Sequence, residues 1–180
     1  MNPELQNIKI PIWIKKGSFK LDYKKPLICI GPGTGVAPFR SIINERIYKY
    51  DYNENYLYFG CRSKSKDYYF EQEWADTQDK HPNFLSLYPA FSRDQDEKIY
   101  VQDLLLKNST QIYDLINDKN ALILIAGNSN RMPEDVVAIL EKIIATNLNS
   151  SNQNEKPEDM AKSYIDKLKT SHRIQMETWS

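Results

Sequence analysis

The sequence predicts an α/β domain, doubly wound around a parallel sheet of about five strands. Three observations carry this. Short apolar runs alternate with longer stretches whose apolar residues recur at helical spacing. Most runs are continuous rather than alternating, which suits strands covered on both faces. Glycines stand where the runs stop, at Gly31, Gly60 and Gly127.

Residues 8–20 alternate apolar and polar residues as a half-buried strand does, and Pro11 makes it an edge or interrupted strand. It stands apart from the strand–helix rhythm of the remaining chain and reads as the tail of another domain. Residues 21–26 form a polar connector. The run 27–30 is the first buried strand, and residues 38–50 a helix with Phe39, Ile42, Ile43, Arg46 and Ile47 at helical spacing. Residues 56–59 are a second strand. Residues 68–78 are a helix with Phe70, Trp74 and Gln78 on related faces, and residues 84–88 a third strand. Residues 101–116 are helical with a break near Asn108, and residues 121–125 a fourth strand. Residues 133–147 are an amphipathic helix with Val136, Val137, Leu140, Ile143 and Ile144 inward. Residues 147–157 are Asn-rich and polar and read as a mobile loop. Pro157 opens another helix, with Met160, Tyr164 and Leu168 on one face. Residues 173–179 alternate as a last strand, with Ile174, Met176 and Thr178 on one side and Gln175, Glu177 and Trp179 on the other.

The 180 residues suit one domain with a fragment of a second. Hydrophobic content of 41% and charged content of 27% are ordinary globular values. Lys plus Arg is 24 and Asp plus Glu is 24, so no basic surplus points to nucleic acid. Cys29 and Cys61 each lie in or beside an apolar run, without metal or disulfide spacing, which favours a reducing compartment. The start shows no basic-then-apolar leader pattern, and no run approaches the length of about 18–20 apolar residues that crosses a bilayer. His81 and His172 are isolated and read as loop residues.

Three segments bear on chemistry. Gly31-Pro32-Gly33-Thr34-Gly35 follows a strand and opens a helix, the context of a phosphate-cradling loop, because backbone N–H groups approach an anion most closely where no Cβ intervenes. It departs from the G-x-G-x-x-G spacing and has no following Lys-Ser or Lys-Thr, so a plain tight turn remains the alternative. The hydroxyl of Thr34 adds a donor suited to a pyrophosphate or a nicotinamide edge. The second strand ends in Gly60-Cys61-Arg62-Ser63-Lys64, basic where a 2′-hydroxyl reader would be acidic. After the third strand come Ser92-Arg93, then Lys98 and Tyr100, donors that suit a 2′-phosphate and an adenine ring. Asp94, Asp96 and Glu97 lie among them, so charge pattern alone reads as a solvated loop. Strand carboxyl ends gather ligands in open parallel sheets, so Thr34, Arg62, Ser92 and Asn128 should face one crevice. Asp135 either favours a helix start or accepts from an amide or ribose hydroxyl.

Taken together, Gly31 to Arg40 (GPGTGVAPFR), Tyr58 to Arg62 (YFGCR) followed by Asp67-Tyr68, Ala90 to Gln95 (AFSRDQ) followed by Lys98 to Gln102 (KIYVQ), and the closing Glu177-Thr178-Trp179-Ser180 resemble the NADPH-binding C-terminal domain of the diflavin reductases. The resemblance spans nearly the whole chain, with the motifs in family order. It implies a ferredoxin-reductase-type NADP-binding fold over residues 23–180 and the tail of a FAD-binding barrel over residues 1–22. It implies that Thr34 lies against the diphosphate. Ser92, Arg93, Lys98 and Tyr100 would hold the 2′-phosphate and adenosine, with Ile99 and Val101 between them, Gln102 closing the segment and Arg62 and Asn128 along the crevice. Asp135 would line the nicotinamide half. Trp179 would stack on the FAD ring and step aside for nicotinamide, and Glu177 would be the acidic residue near the hydride path; these two are the catalytic candidates, and no metal is implied.

Ala126-Gly127-Asn128 stands where the microsomal members have Cys-Gly-Asp, which removes a thiol from the hydride path and resembles the cytosolic branch that serves iron–sulfur cluster assembly. The implied activity is hydride transfer from NADPH to FAD. Electrons would then pass through FMN to an iron–sulfur or haem protein, an anamorsin-type iron–sulfur protein for the cytosolic branch. The FMN domain and nearly all of the FAD barrel are not in these residues, so the chain is expected to be a C-terminal piece, inactive alone. The alternative is an orphan NADPH-binding module without turnover.

Overall fold

The computed structural model describes residues 11–14, 16–49, 54–148 and 156–180. Five parallel strands form its sheet: β1 (Leu27–Ile30), β2 (Asn55–Cys61), β3 (Leu85–Phe91), β4 (Leu122–Asn128) and β5 (Ile174–Trp179), in the spatial order β3-β2-β1-β4-β5. The helices are α1 (Val36–Lys49), α2 (Lys64–Asp67), α3 (Glu71–Lys80), α4 (Val101–Lys107), α5 (Ser109–Asn117), α6 (Met132–Asn147) and α7 (Pro157–Thr170). The order reverses between β1 and β4, so the crevice of a doubly wound sheet opens there, at the strands' carboxyl ends.

Two apolar layers follow from the period-2 alternation of each strand. Leu27, Cys29, Leu57, Phe59, Leu124 and Ala126 face α1 and α3 with Phe39, Ile43 and Trp74. Ile28, Ile30, Tyr58, Ile123 and Ile125 face α4 to α7 with Leu105, Ile112, Leu140, Ile144 and Ile165. Each fully buried Leu, Ile or Phe contributes about 1.5–3 kcal/mol against the entropy of ordering the chain. Helix ends match their charges: α7 has Pro157 at its start, Glu158 and Asp159 in the first turn and Lys167 and Lys169 in the last.

The strands and helices stand close to their predicted places, including the break at Asn108, which separates α4 from α5. Three expectations need correction. Residues 11–14 and 16–20 carry no strand, although residues 8–10 and 15 lie outside the described residues. Ile12, Trp13 and Ile14 are 80%, 79% and 96% exposed, because among the described residues no strand lies beside them to take their ladder bonds. The buried stripe of α7 is Ala161, Ile165 and Leu168, with Met160 and Tyr164 only half-buried beside it. The helix predicted over residues 68–78 starts only at Glu71, since Phe70 has φ of 64° and residues 69–70 form a turn ahead of α3. Phe70, outside the helix, is exposed, and Trp74 is buried. Of the loop expected over 147–157, residues 149–155 lie outside the described residues.

Candidate functional site: the carboxyl edge of the sheet

The turn after β1 is built by its glycines. A Cβ on Gly35 would stand 2.0 Å from the Ala126 carbonyl oxygen, so only glycine lets this turn press against the end of β4. Gly33 has φ of 58° and nothing within 4 Å of where a Cβ would be. Its backbone is therefore left-handed and open to the crevice, as a cradle for an anion needs. Gly35 N–H donates to Pro32 O at 3.1 Å and closes the turn.

Beyond β2 and β3 the parallel ladder continues into the loops. Ser92 N–H donates to Cys61 O at 2.9 Å and Arg93 N–H to Arg62 O at 2.8 Å. Arg62 and Arg93 are thus carried on adjacent, hydrogen-bonded strand ends. The acids among these bases are engaged by backbone. Asp67 accepts from Arg62 N–H at 3.0 Å and Ser63 N–H at 2.8 Å. Asp94 accepts from Lys64 N–H at 2.8 Å. Hydrogen bonds from backbone N–H lead the causes that hold both carboxyls below their ordinary range. The Lys64 ammonium is turned to Glu71, 3.1 Å away. Among the described residues Arg62, Arg93 and Lys98 make no salt bridge. Downstream, Gln95 folds the loop back by donating to Phe91 O and Glu97 O. Asp103 accepts from Tyr100 N–H at 2.8 Å and fixes the start of α4.

These elements enclose a cleft of about 650 Å³. Of the residues singled out in the sequence, Arg62, Ser92, Arg93, Ile99, Tyr100, Val101, Gln102, Asn128 and Asp135 line it. Thr34 is exposed on the Gly33 turn at its margin, and Lys98 is exposed beside the lining residue Ile99; neither lines the cleft. Glu177 and Trp179 do not line it either. They lie on β5, in register with Ala126 and Asn128, and so on the α1 face of the sheet. Trp179 is 39% exposed, and its carbonyl accepts from Ser129 N–H at 2.8 Å.

Sequence reasoning gave no site role to Asp67, Met132 or Gly60, which line the cleft together with Pro32 and Gly33 of the phosphate turn read from the sequence. The backbone wall shows in the sequence only through its glycines, and Asp67 only as part of the Asp67-Tyr68 motif, without a role attached. Cys61 lines the cleft as well, but burial and the neighbouring Asp67 and Asp94 push its thiol up to about 12, so it is no nucleophile. A second hollow of about 600 Å³ runs along α7 between Asp159 and Ser171, with no residue of the sheet's carboxyl edge in its lining. It is a groove on a solvated helix face without converging backbone donors. Among the described residues no group of three or more His, Cys, Asp or Glu side chains is placed to hold a metal, and no helix is long and apolar enough to cross a membrane.

Residues 29–138 match the family described as the oxidoreductase NAD-binding domain. NADPH-dependent diflavin oxidoreductase 1 of Xenopus laevis is 44% identical over 174 residues, covering 96% of this chain and 28% of that protein. Its namesake in Schizosaccharomyces pombe is 38% identical over 176 residues, covering 97% of this chain and 29% of that protein. NADPH–cytochrome P450 reductase of Drosophila melanogaster is 39% identical over 181 residues, covering 97% and 26%. The chain spans under a third of the length of these curated relatives.

Proposed function

The chain belongs to the oxidoreductase NAD-binding domain family, and from that premise we propose that it holds NADPH along the carboxyl edge of its sheet for hydride transfer to a flavin. On this reading Arg62, Ser92, Arg93 and Tyr100 would hold the adenosine and its 2′-phosphate, Gly33 and Thr34 the diphosphate, and Asn128, Asp135 and β5 the nicotinamide half. From β3 to β5 the edge spans four strand spacings, about 19 Å. The observation that carries the reading is the pair Arg62 and Arg93. Both residues line the cleft and neither makes a salt bridge among the described residues, while the nearby acids Asp67 and Asp94 accept from backbone N–H groups. A 2′-phosphate is the charge that such a pair fits. The open cradle at Gly33 fits a diphosphate by the same test.

The dinucleotide and the flavin, when bound, supply the redox chemistry as hydride donor and acceptor. The residues here bind and orient. Thr34 would donate to the diphosphate, and Lys98 would add a third positive charge near the 2′-phosphate. Gln102 closes that segment. Trp179, at the open end of β5, would cover the FAD ring and give way to the nicotinamide. Glu177, two residues away on the same face of the strand, provides a carboxylate beside that place. Ala126 leaves no thiol there.

Residues 1–22 belong, on this reading, to a FAD-binding barrel, and residues 23–180 are the NADPH-binding domain. The names of the relatives support FAD and FMN as cofactors of the full-length protein. Ala126-Gly127-Asn128 supports the cytoplasmic, iron–sulfur-assembly branch, with an anamorsin-type iron–sulfur protein as electron acceptor. Calorimetry of this chain with 2′,5′-ADP and 5′-AMP tests the core of the proposal. 2′,5′-ADP binds much more tightly, and Arg93→Ala costs it about 1.5 kcal/mol, the low end for a charge-assisted bond because Arg93 is exposed. Equal affinity for the two ligands overturns it.

A further inference from the structure

We propose that Asp67 and Asp94 are positioning residues for the 2′-phosphate subsite, gripping the backbone of Arg62, Ser63 and Lys64 so that Arg62 is held beside Arg93. This rests on the proposed function, in which Arg62 and Arg93 receive that phosphate. Three consecutive N–H groups leave the end of β2, and each is bound by a carboxylate. Asp67 uses both oxygens, Oδ2 for Arg62 and Oδ1 for Ser63, at 3.0 and 2.8 Å. Asp94 reaches across from the β3 side to Lys64 N–H at 2.8 Å and is also hydrogen-bonded by the Ser63 side chain. The Arg62 carbonyl is tied in turn to Arg93 N–H at 2.8 Å. Arg62 therefore has its own N–H and C=O both fixed, although its side chain is exposed.

The charges around the grip set up a test by sign. Arg62 lies by Asp67 and Lys66 by Asp94, and the two carboxylates repel one another. Were the acids only solvated charges near the site, removing either would tighten binding of a phosphate by relieving repulsion. If they position Arg62, removing them weakens it, because a guanidinium on a loosened loop must be ordered when ligand binds. Lys64 does not compensate, since its ammonium is on Glu71.

The experiment titrates 2′,5′-ADP and 5′-AMP into the wild-type chain and into Asp67→Ala, Asp67→Asn, Asp94→Ala and Asp94→Asn, with the melting temperature of each recorded. Asp67→Ala and Asp94→Ala each lower 2′,5′-ADP affinity, the first by about tenfold for two lost charge-assisted bonds in a partly solvated loop. The 5′-AMP affinity is unchanged. Asp94→Asn keeps a carbonyl acceptor for Lys64 N–H and retains binding, whereas Asp67→Asn keeps one of two acceptors and falls between wild type and Ala. Should an Ala variant fail to fold, the two Asn variants decide: Asp67→Asn weaker than Asp94→Asn supports the proposal, and equal or tighter binding by both overturns it. Unchanged or raised 2′,5′-ADP affinity in folded Ala variants of a discriminating wild type overturns the positioning role alone. A wild type that does not discriminate overturns the phosphate-subsite reading and this inference with it.

Discussion

Replacing Gly35 by Ala tests whether the turn after β1 is held in place by contact with β4. The added Cβ would lie 2.0 Å from Ala126 O, 2.7 Å from Ala126 C and 3.0 Å from Gly127 Cα. All three are main-chain atoms of a central strand and cannot rotate away. Ordinary contact begins near 3.4 Å, so the turn must retreat by about 1.4 Å. Overpacking costs about 1–3 kcal/mol where side chains can yield, and the upper end applies here. At about 2–4 °C per kcal/mol for a domain of this size, the melting temperature falls by about 6–12 °C. The same retreat lifts Gly33 and Thr34 from the crevice, so dinucleotide affinity falls too. Gly33→Ala is the internal control. It meets no atom within 4 Å but keeps φ of 58°, a backbone cost of about 1–2 kcal/mol without displacement of the turn. Thermal unfolding followed by circular dichroism, with NADP⁺ titration of each variant, gives both quantities. Equal melting temperatures for Gly35→Ala and wild type would refute the packing argument.

Two further outcomes concern the titrating groups. Cys29 is fully buried and Cys61 nearly so, and burial pushes both thiols up to about 12. Native chain should therefore leave a disulfide reagent unreacted at pH 8, with two thiols released in denaturant; rapid reaction of one native thiol would contradict the packing of the β2 end. Asp67 and Asp94 have folded values below their unfolded ones, so their contribution is complete above about pH 4 and lost only as pH falls through the lower, folded values. The amide resonances of Ser63 and Lys64 should shift with midpoints below that of an ordinary aspartate; a midpoint at or above it would argue against the backbone grip.

Much of the fold was legible because strands buried on both faces write themselves as continuous apolar runs, as at residues 27–30 and 121–125. The break at Asn108 was legible from a polar residue interrupting a helical period. Within the described residues 11–14 and 16–20 the alternation misled, because it records a half-buried environment without saying what supplies it, and no strand among the described residues lies against Ile12 or Ile14. The stripe of α7 was misjudged by one position, since Met160 and Tyr164 flank the true face and are large enough to be half-covered. In the site, Arg62, Ser92, Arg93 and Tyr100 were legible as residue types at strand ends. Their freedom to meet an anion was not. It depends on Asp67 and Asp94 being bound to backbone, a long-range geometry between the loops after β2 and β3 that charge pattern hides. The crevice wall at Gly33 and Gly60 is backbone and leaves only its glycines in the sequence.

The central claim is that one dinucleotide lies along the carboxyl edge from β3 to β5, anchored by its 2′-phosphate. Backbone amide shifts of the labelled chain on titration with NADP⁺, repeated with NAD⁺, test it most directly. The amides of Gly33, Thr34, Arg62, Ser92, Arg93 and Asn128 should move together with a single affinity, and the effects at Arg62 to Arg93 should be largely lost with NAD⁺. Shifts that cluster in the α7 hollow between Asp159 and Ser171, or that are the same for both dinucleotides at Arg62 and Arg93, would contradict it.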